Sequence, residues 1–156
     1  MRLQSAMSNI TLKSLMTPGS IFFLDESFGK KESIAFLSEK IKKEVPREVA
    51  GEELEKIFQE SGDTQQLHAS GLYLAFAKFP DLRDIHSVLG IHRQGFYNGS
   101  ANTVKAVLLT LVPRRPDFFQ KHLDFLSTVN YVFTEKFISG LAMLKDSQAV
   151  YDTLSK

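Results

Sequence analysis

The sequence predicts a single-domain α/β protein: a central mixed β-sheet flanked by helices. Three observations lead there. The chain has 156 residues, the size of one domain. Apolar runs of strand length at 71–79, 87–91 and 104–112 follow one another in its middle, as buried strands do. Segments with helical periodicity stand on both sides of these runs, so the helices must pack on the sheet to cover their apolar stripes.

The first half opens with Asn9, which can cap a short helix through Leu12 and Leu15. Pro18-Gly19 ends that helix, and Ile21-Phe22-Phe23-Leu24 reads as a short strand. Residues 30–45 form the clearest early helix, with Ile34, Leu37, Ile41 and Val45 on one stripe. Phe36 points away from that stripe, so it should meet a neighbouring element or a partner. Pro46 closes the helix. A second helix is expected over 51–59, with Leu54, Ile57 and Phe58 facing inward, and Ser61-Gly62-Asp63 makes a turn.

In the middle, 71–79 is apolar almost throughout and should be buried on both faces. Residues 114–117, between Pro113 and Phe118, read as a solvated loop holding Arg114 and Arg115. A helix over 118–130 should turn Phe119, Leu123, Leu126 and Val129 or Asn130 inward, and Phe118-Phe119 is read as core. Another follows over 134–144, with Phe137, Ile138, Leu141 and Leu144. Asp146 or Ser147 should cap a last short helix holding Val150 and Leu154. Residues 1–8 are expected to form a flexible N-terminus, and 9–156 the domain.

Composition narrows the chemistry. Apolar residues make up 43% and charged residues 24%, ordinary for a globular protein. A domain of this size buries roughly 70% of the surface its unfolded chain exposes, so the core needs no staples. Cysteine is absent, which excludes disulfides, thiolate metal sites and a catalytic thiol. That is compatible with the cytoplasm, the expected location. The net charge is +1 with no long run of one sign, so a broad footprint for nucleic acid is not expected. Residues 1–7 lack the apolar core of a signal peptide. No stretch approaches the roughly 20 apolar residues of a membrane span, so no direct membrane insertion is expected. Gly-x-Ser-x-Gly, P-loop and dinucleotide fingerprints are missing. His86 and His92 have no acidic partners at metal-ligand spacing, and neither a metal nor a cofactor is expected.

Several local strings, in order, resemble the type-2 enzyme IIA family of the phosphotransferase system, the mannitol, fructose and nitrogen-regulatory class. Leu12-Lys13-Ser14-Leu15-Met16 is similar to the family's opening helix, Ile21-Phe22-Phe23-Leu24 loosely to its first strand, and Lys30, Ile34 and Leu37 to its next helix. Gly71-Leu72-Tyr73-Leu74-Ala75-Phe76-Ala77-Lys78 is similar to the strand that bears the phosphate-accepting histidine. Leu89-Gly90-Ile91-His92-Arg93-Gln94-Gly95 and Val104-Lys105-Ala106-Val107-Leu108-Leu109 match the following strands. His122-Leu123-Asp124-Phe125-Leu126 and 147–154 match the two last helices. The resemblance spans 8–156.

The resemblance implies a domain that takes a phosphoryl group on a histidine nitrogen and passes it on. That chemistry needs a neutral imidazole as nucleophile and donors that hold the phosphoryl oxygens. In the family register the nucleophile position is Phe76, which has no lone pair to offer. Ala75 stands where the family has proline, and Lys78 keeps the basic position. The family's arginine-bearing approach segment is eroded: Gly62-Asp63-Thr64 echoes its end, while Phe58 and Gln59 replace its arginine and glutamate. Thr64, Lys78 and His122 are the implied binding residues, His122 matching the family's second histidine. His68, eight residues before Phe76, is a further candidate acceptor.

Three functions follow. The first is a degenerate regulatory protein that binds a partner without accepting phosphate. That partner would be a phosphocarrier protein or other phosphotransferase component, or a regulated transporter or kinase. The second is an active phosphohistidine carrier in sugar transport or nitrogen regulation, using His122 or His68. The third is an anion-binding module anchored by Lys78. Each residue has a plainer reading: Phe76 as a core aromatic, Lys78 as a solvated strand-end lysine, His122 as an ordinary half-buried histidine.

Overall fold

The structure, a computed structural model, describes residues 12, 16–45, 54–62, 71–80, 82–97 and 103–154. Its strands are β1 (Ile21–Phe23), β2 (Leu72–Phe79), β3 (His86–Tyr97) and β4 (Thr103–Pro113). Its helices are α1 (Lys30–Lys42), α2 (Leu54–Gly62), α3 (Phe119–Val132), α4 (Glu135–Leu141) and α5 (Ser147–Thr153). The strands form one sheet in the order β1-β3-β4-β2. β1 pairs parallel with β3, and β2 parallel with β4, while β3 and β4 form an antiparallel hairpin. The sheet is therefore mixed, as the sequence predicts.

Strand alternation divides the core in two. Leu72, Leu74, Leu89, Leu108 and Val112 face one side, where Phe125, Val129, Ile138, Leu141 and Val150 of α3 to α5 cover them. Tyr73, Ala75, Val88, Leu109 and Leu111 face the other, against Ile34, Leu37, Ile41, Leu54 and Phe58 of α1 and α2. β2 is an edge strand, yet its first five residues are apolar because helices cover both faces.

Local chemistry sets the joints. The Glu32 carboxylate reaches back to accept the Gly29 N–H at 3.0 Å, satisfying one orphan donor at the start of α1. Asp146 accepts the Ala149 N–H at 2.9 Å, so Asp146 rather than Ser147 caps α5. Thr134 caps α4 in the same way, through Phe137 N–H at 3.1 Å. α1 crosses β3 at Gly90, where a Cβ would come within 2.8 Å of Leu37 Cδ1. Phe36 leaves the α1 stripe to pack edge-on against Phe22, 5.8 Å between centroids.

Several boundaries differ from the sequence reading. β3 runs six residues beyond the expected 87–91, through a register shift between Ile91 and Phe96. The shift is a bulge at Gly95, which sits at φ +83, and the polar run His92-Arg93-Gln94 hides the strand's continuation. His92 fastens the bulge: its Nδ1 accepts the Gly95 N–H at 2.8 Å, so its Nε2 is the donor to Phe28 O at 3.0 Å. The inward stripe of α3 is His122, Phe125, Val129 and Val132; of the expected residues, Val129 is buried and Leu126 packs half-buried on the core, while Phe119 and Leu123 turn outward. Phe119 and Leu123 are 64% and 40% exposed. Of the pair read as core, only Phe118 is buried, in a 3-10 turn over Pro116–Phe118 that precedes α3. α4 stops at Leu141, short of the expected 144. The helix expected around Asn9 lies outside the described residues except for Leu12, which is buried in the core.

Candidate functional site

Because β2 and β4 are parallel, their carboxyl ends lie together: Phe76 is beside Thr110, and Lys78 beside Val112. The carboxyl edge of an open α/β sheet is where strands end and loops leave a crevice for ligands. Here β4 gives way to Arg114-Arg115, the 3-10 turn and α3. The Arg114 N–H donates to Phe79 O at 2.9 Å, and its guanidinium donates to Lys78 O at 3.3 Å. These bonds hold the loop against the end of β2.

An open cleft of about 290 Å³ results. Lys78, Arg114 and Arg115 supply its positive charge, Val112, Pro116 and Phe119 supply apolar wall, and His122 closes it on the α3 side. The Arg115 guanidinium lies 4.9 Å from the Phe118 ring centroid, and its Nε lies 3.6 Å from Asp117 Oδ1. Lys121 Nζ sits 5.0 Å from the same ring and 3.4 Å from Asp84. Phe118 is thus an aromatic platform that positions two cations.

His122 is only 8% exposed. Its ring meets Phe76 edge-on, 4.9 Å between centroids. Its Nδ1 is buried without a hydrogen-bond partner among the described residues. Burial first, and then the charge of Lys78, push its pKa below the ordinary 6.5, because both disfavour the imidazolium. At neutral pH the cleft therefore holds an uncharged imidazole.

Of the residues singled out in the sequence, Phe76, Lys78 and His122 come together here. Phe76 is half-buried and packs on the core under α3 to α5, while Lys78 is exposed at the strand end. Thr64 and His68 lie outside the described residues. Arg114 and Arg115 were not among the predicted site residues. Their signal is the bracket of Pro113 and Pro116, which limits the backbone and keeps both side chains near the strand ends. Among the described residues, no group of three or more histidine, aspartate or glutamate side chains could hold a metal ion. No described helix is long and apolar enough to cross a membrane.

The fold and the cleft define an α/β sandwich with a mixed four-stranded sheet and a cationic crevice at the carboxyl edge of its parallel pair. Solved structures that superpose on it include enzyme IIA proteins. The nitrogen regulatory protein IIA-Ntr of Neisseria meningitidis superposes with a TM-score of 0.73 at 14% identity, covering 92% of this chain and 99% of that one. The mannitol-specific cryptic phosphotransferase enzyme IIA of Escherichia coli gives 0.68 at 15% identity, over 94% and 99% of the two chains. The mannitol IIA of Escherichia coli gives 0.66 at 17% identity, over 90% and 99%. The chain thus has the type-2 enzyme IIA-like fold. No family model and no curated protein sequence matches it.

Proposed function

We propose that this protein is a degenerate, regulatory enzyme IIA-like domain that binds a protein partner without accepting phosphate. The observation behind this reading is the Phe76–His122 contact, 4.9 Å between rings. The resemblance gives the acceptor position to Phe76 and the second histidine to His122, and the two rings are neighbours, with His122 lining the cleft. A phenyl ring cannot be phosphorylated, whereas the scaffold that would present it is intact. The partner is a phosphocarrier protein or other phosphotransferase component, or a transporter or kinase under regulation, and the location is the cytoplasm.

A second reading has its own observation. The His122 imidazole is neutral with an unpartnered Nδ1, the state a phosphohistidine carrier in sugar transport or nitrogen regulation requires of its nucleophile. Incubation with a phosphorylated phosphocarrier protein separates the two. The degenerate reading expects no acid-labile phosphate on the chain. If label appears, His122→Ala and His68→Ala, made one at a time, show which imidazole holds it.

A further inference from the structure

The cleft concentrates positive charge, of which one carboxylate answers only a part. Lys78, Arg114 and Arg115 line it, and among the described residues no acidic side chain does; Asp117 pairs with Arg115 from the loop. Like charges around one opening repel one another unless an anion sits among them. α3, a helix of 14 residues, begins at Phe119, itself a lining residue, so the positive dipole end of that helix adds to the field. His122 also lines the cleft, and it is more than nine-tenths buried, with its Nδ1 unpartnered among the described residues. Buried polar atoms are rarely left so. The rest of the wall is apolar, and Phe119 offers an aromatic surface that is 64% exposed.

We propose that this cleft binds a phosphate monoester intact, with the phosphate among Lys78, Arg114 and Arg115 and the apolar body against Phe119. Arginine forks match phosphate oxygens in pairs, and three cations suit a dianion better than a single carboxylate. No bond is made or broken, so the site is a receptor rather than a phosphoryl acceptor. The ester is either a free phosphorylated metabolite or a phosphorylated side chain on a partner, and both present the same chemistry. This inference does not depend on the role of Phe76. Phosphate transfer tests that role, and ligand binding tests this one.

Calorimetric titration of the full chain with phenyl phosphate, inorganic phosphate and benzyl alcohol is the test. One phenyl phosphate should bind, on the order of 10-fold tighter than inorganic phosphate, and more weakly as salt is raised. Benzyl alcohol should show no saturable binding. Arg114→Ala and Arg115→Ala, both exposed and outside the core, should each weaken phenyl phosphate roughly 10-fold. Phe119→Ala should reduce it to the level of inorganic phosphate. Lys136→Ala, an exposed cation away from the cleft, should change nothing. A blocked phosphotyrosine tripeptide that binds tighter than phenyl phosphate supports the site with a partner chain as the source. Equal affinity supports it with a free metabolite. No saturable phenyl phosphate binding overturns the proposal. So does a loss with Lys136→Ala equal to that with the arginine variants, or phenyl phosphate and benzyl alcohol binding alike.

Discussion

At the scale of single residues, His122 concentrates what is unusual about the cleft. Its folded pKa lies below that of the free imidazole, 6.5, mainly through burial and then through Lys78. Between the two values the unfolded chain binds more protons than the folded one, so stability rises with pH through that window and is complete above it. As pH falls through it, the contribution is lost. Urea midpoints measured from about pH 5 to about pH 7.5 should therefore climb. His122→Phe, which keeps an aromatic ring against Phe76, should flatten part of that climb, and an unchanged slope would show that other groups cause it. The sequence could nominate His122 and Lys78 through resemblance, because each sits in a recognisable string. It could not show that Arg114 and Arg115 join them. The bracket of Pro113 and Pro116 marks the loop, but its seat depends on hydrogen bonds from Arg114 back to Phe79 and Lys78, which are tertiary.

At the scale of elements, the joints between helix and sheet carry the testable energetics. α1 packs so closely on β3 that Gly90 has no room for a methyl group against Leu37 and Leu24. Gly90→Ala should cost about 1–3 kcal/mol by overpacking, read as a lower urea midpoint with the transition slope unchanged. Arg93 forms another joint. Its guanidinium stacks 4.2 Å from the Phe23 ring centroid and donates to Leu144 O at 2.8 Å, tying β3 to the segment between α4 and α5. Arg93→Ala should cost about 1–2 kcal/mol and raise amide exchange in 142–146 before it does so in the strands. Strands with unbroken apolar runs, β2 and β4, were legible because burial on both faces writes itself into composition. α3 was harder. Phe119 and Leu123 are as apolar as Phe125 and Val129, so periodicity fits two faces of the helix. Only the seat of His122 and Phe125 on the sheet decides between them.

For the whole molecule, the fold was the most legible feature and the activity the least. Buried strands between amphipathic helices lead to a mixed sheet with helices on both faces, and the order of local strings leads to the enzyme IIA-like scaffold. Overall identities of 14% to 17% to the superposed structures show how little shared sequence the architecture needs. Function depends on a few atoms at one edge, and there the chain has a phenyl ring beside a neutral imidazole among three cations. On the proposed function, this scaffold does not accept phosphate. Intact mass after incubation with excess phosphorylated phosphocarrier protein at mildly alkaline pH, where phosphohistidine survives, tests it most directly. The mass should be unchanged. A stoichiometric gain of one phosphoryl group, reversed by acid, would contradict it.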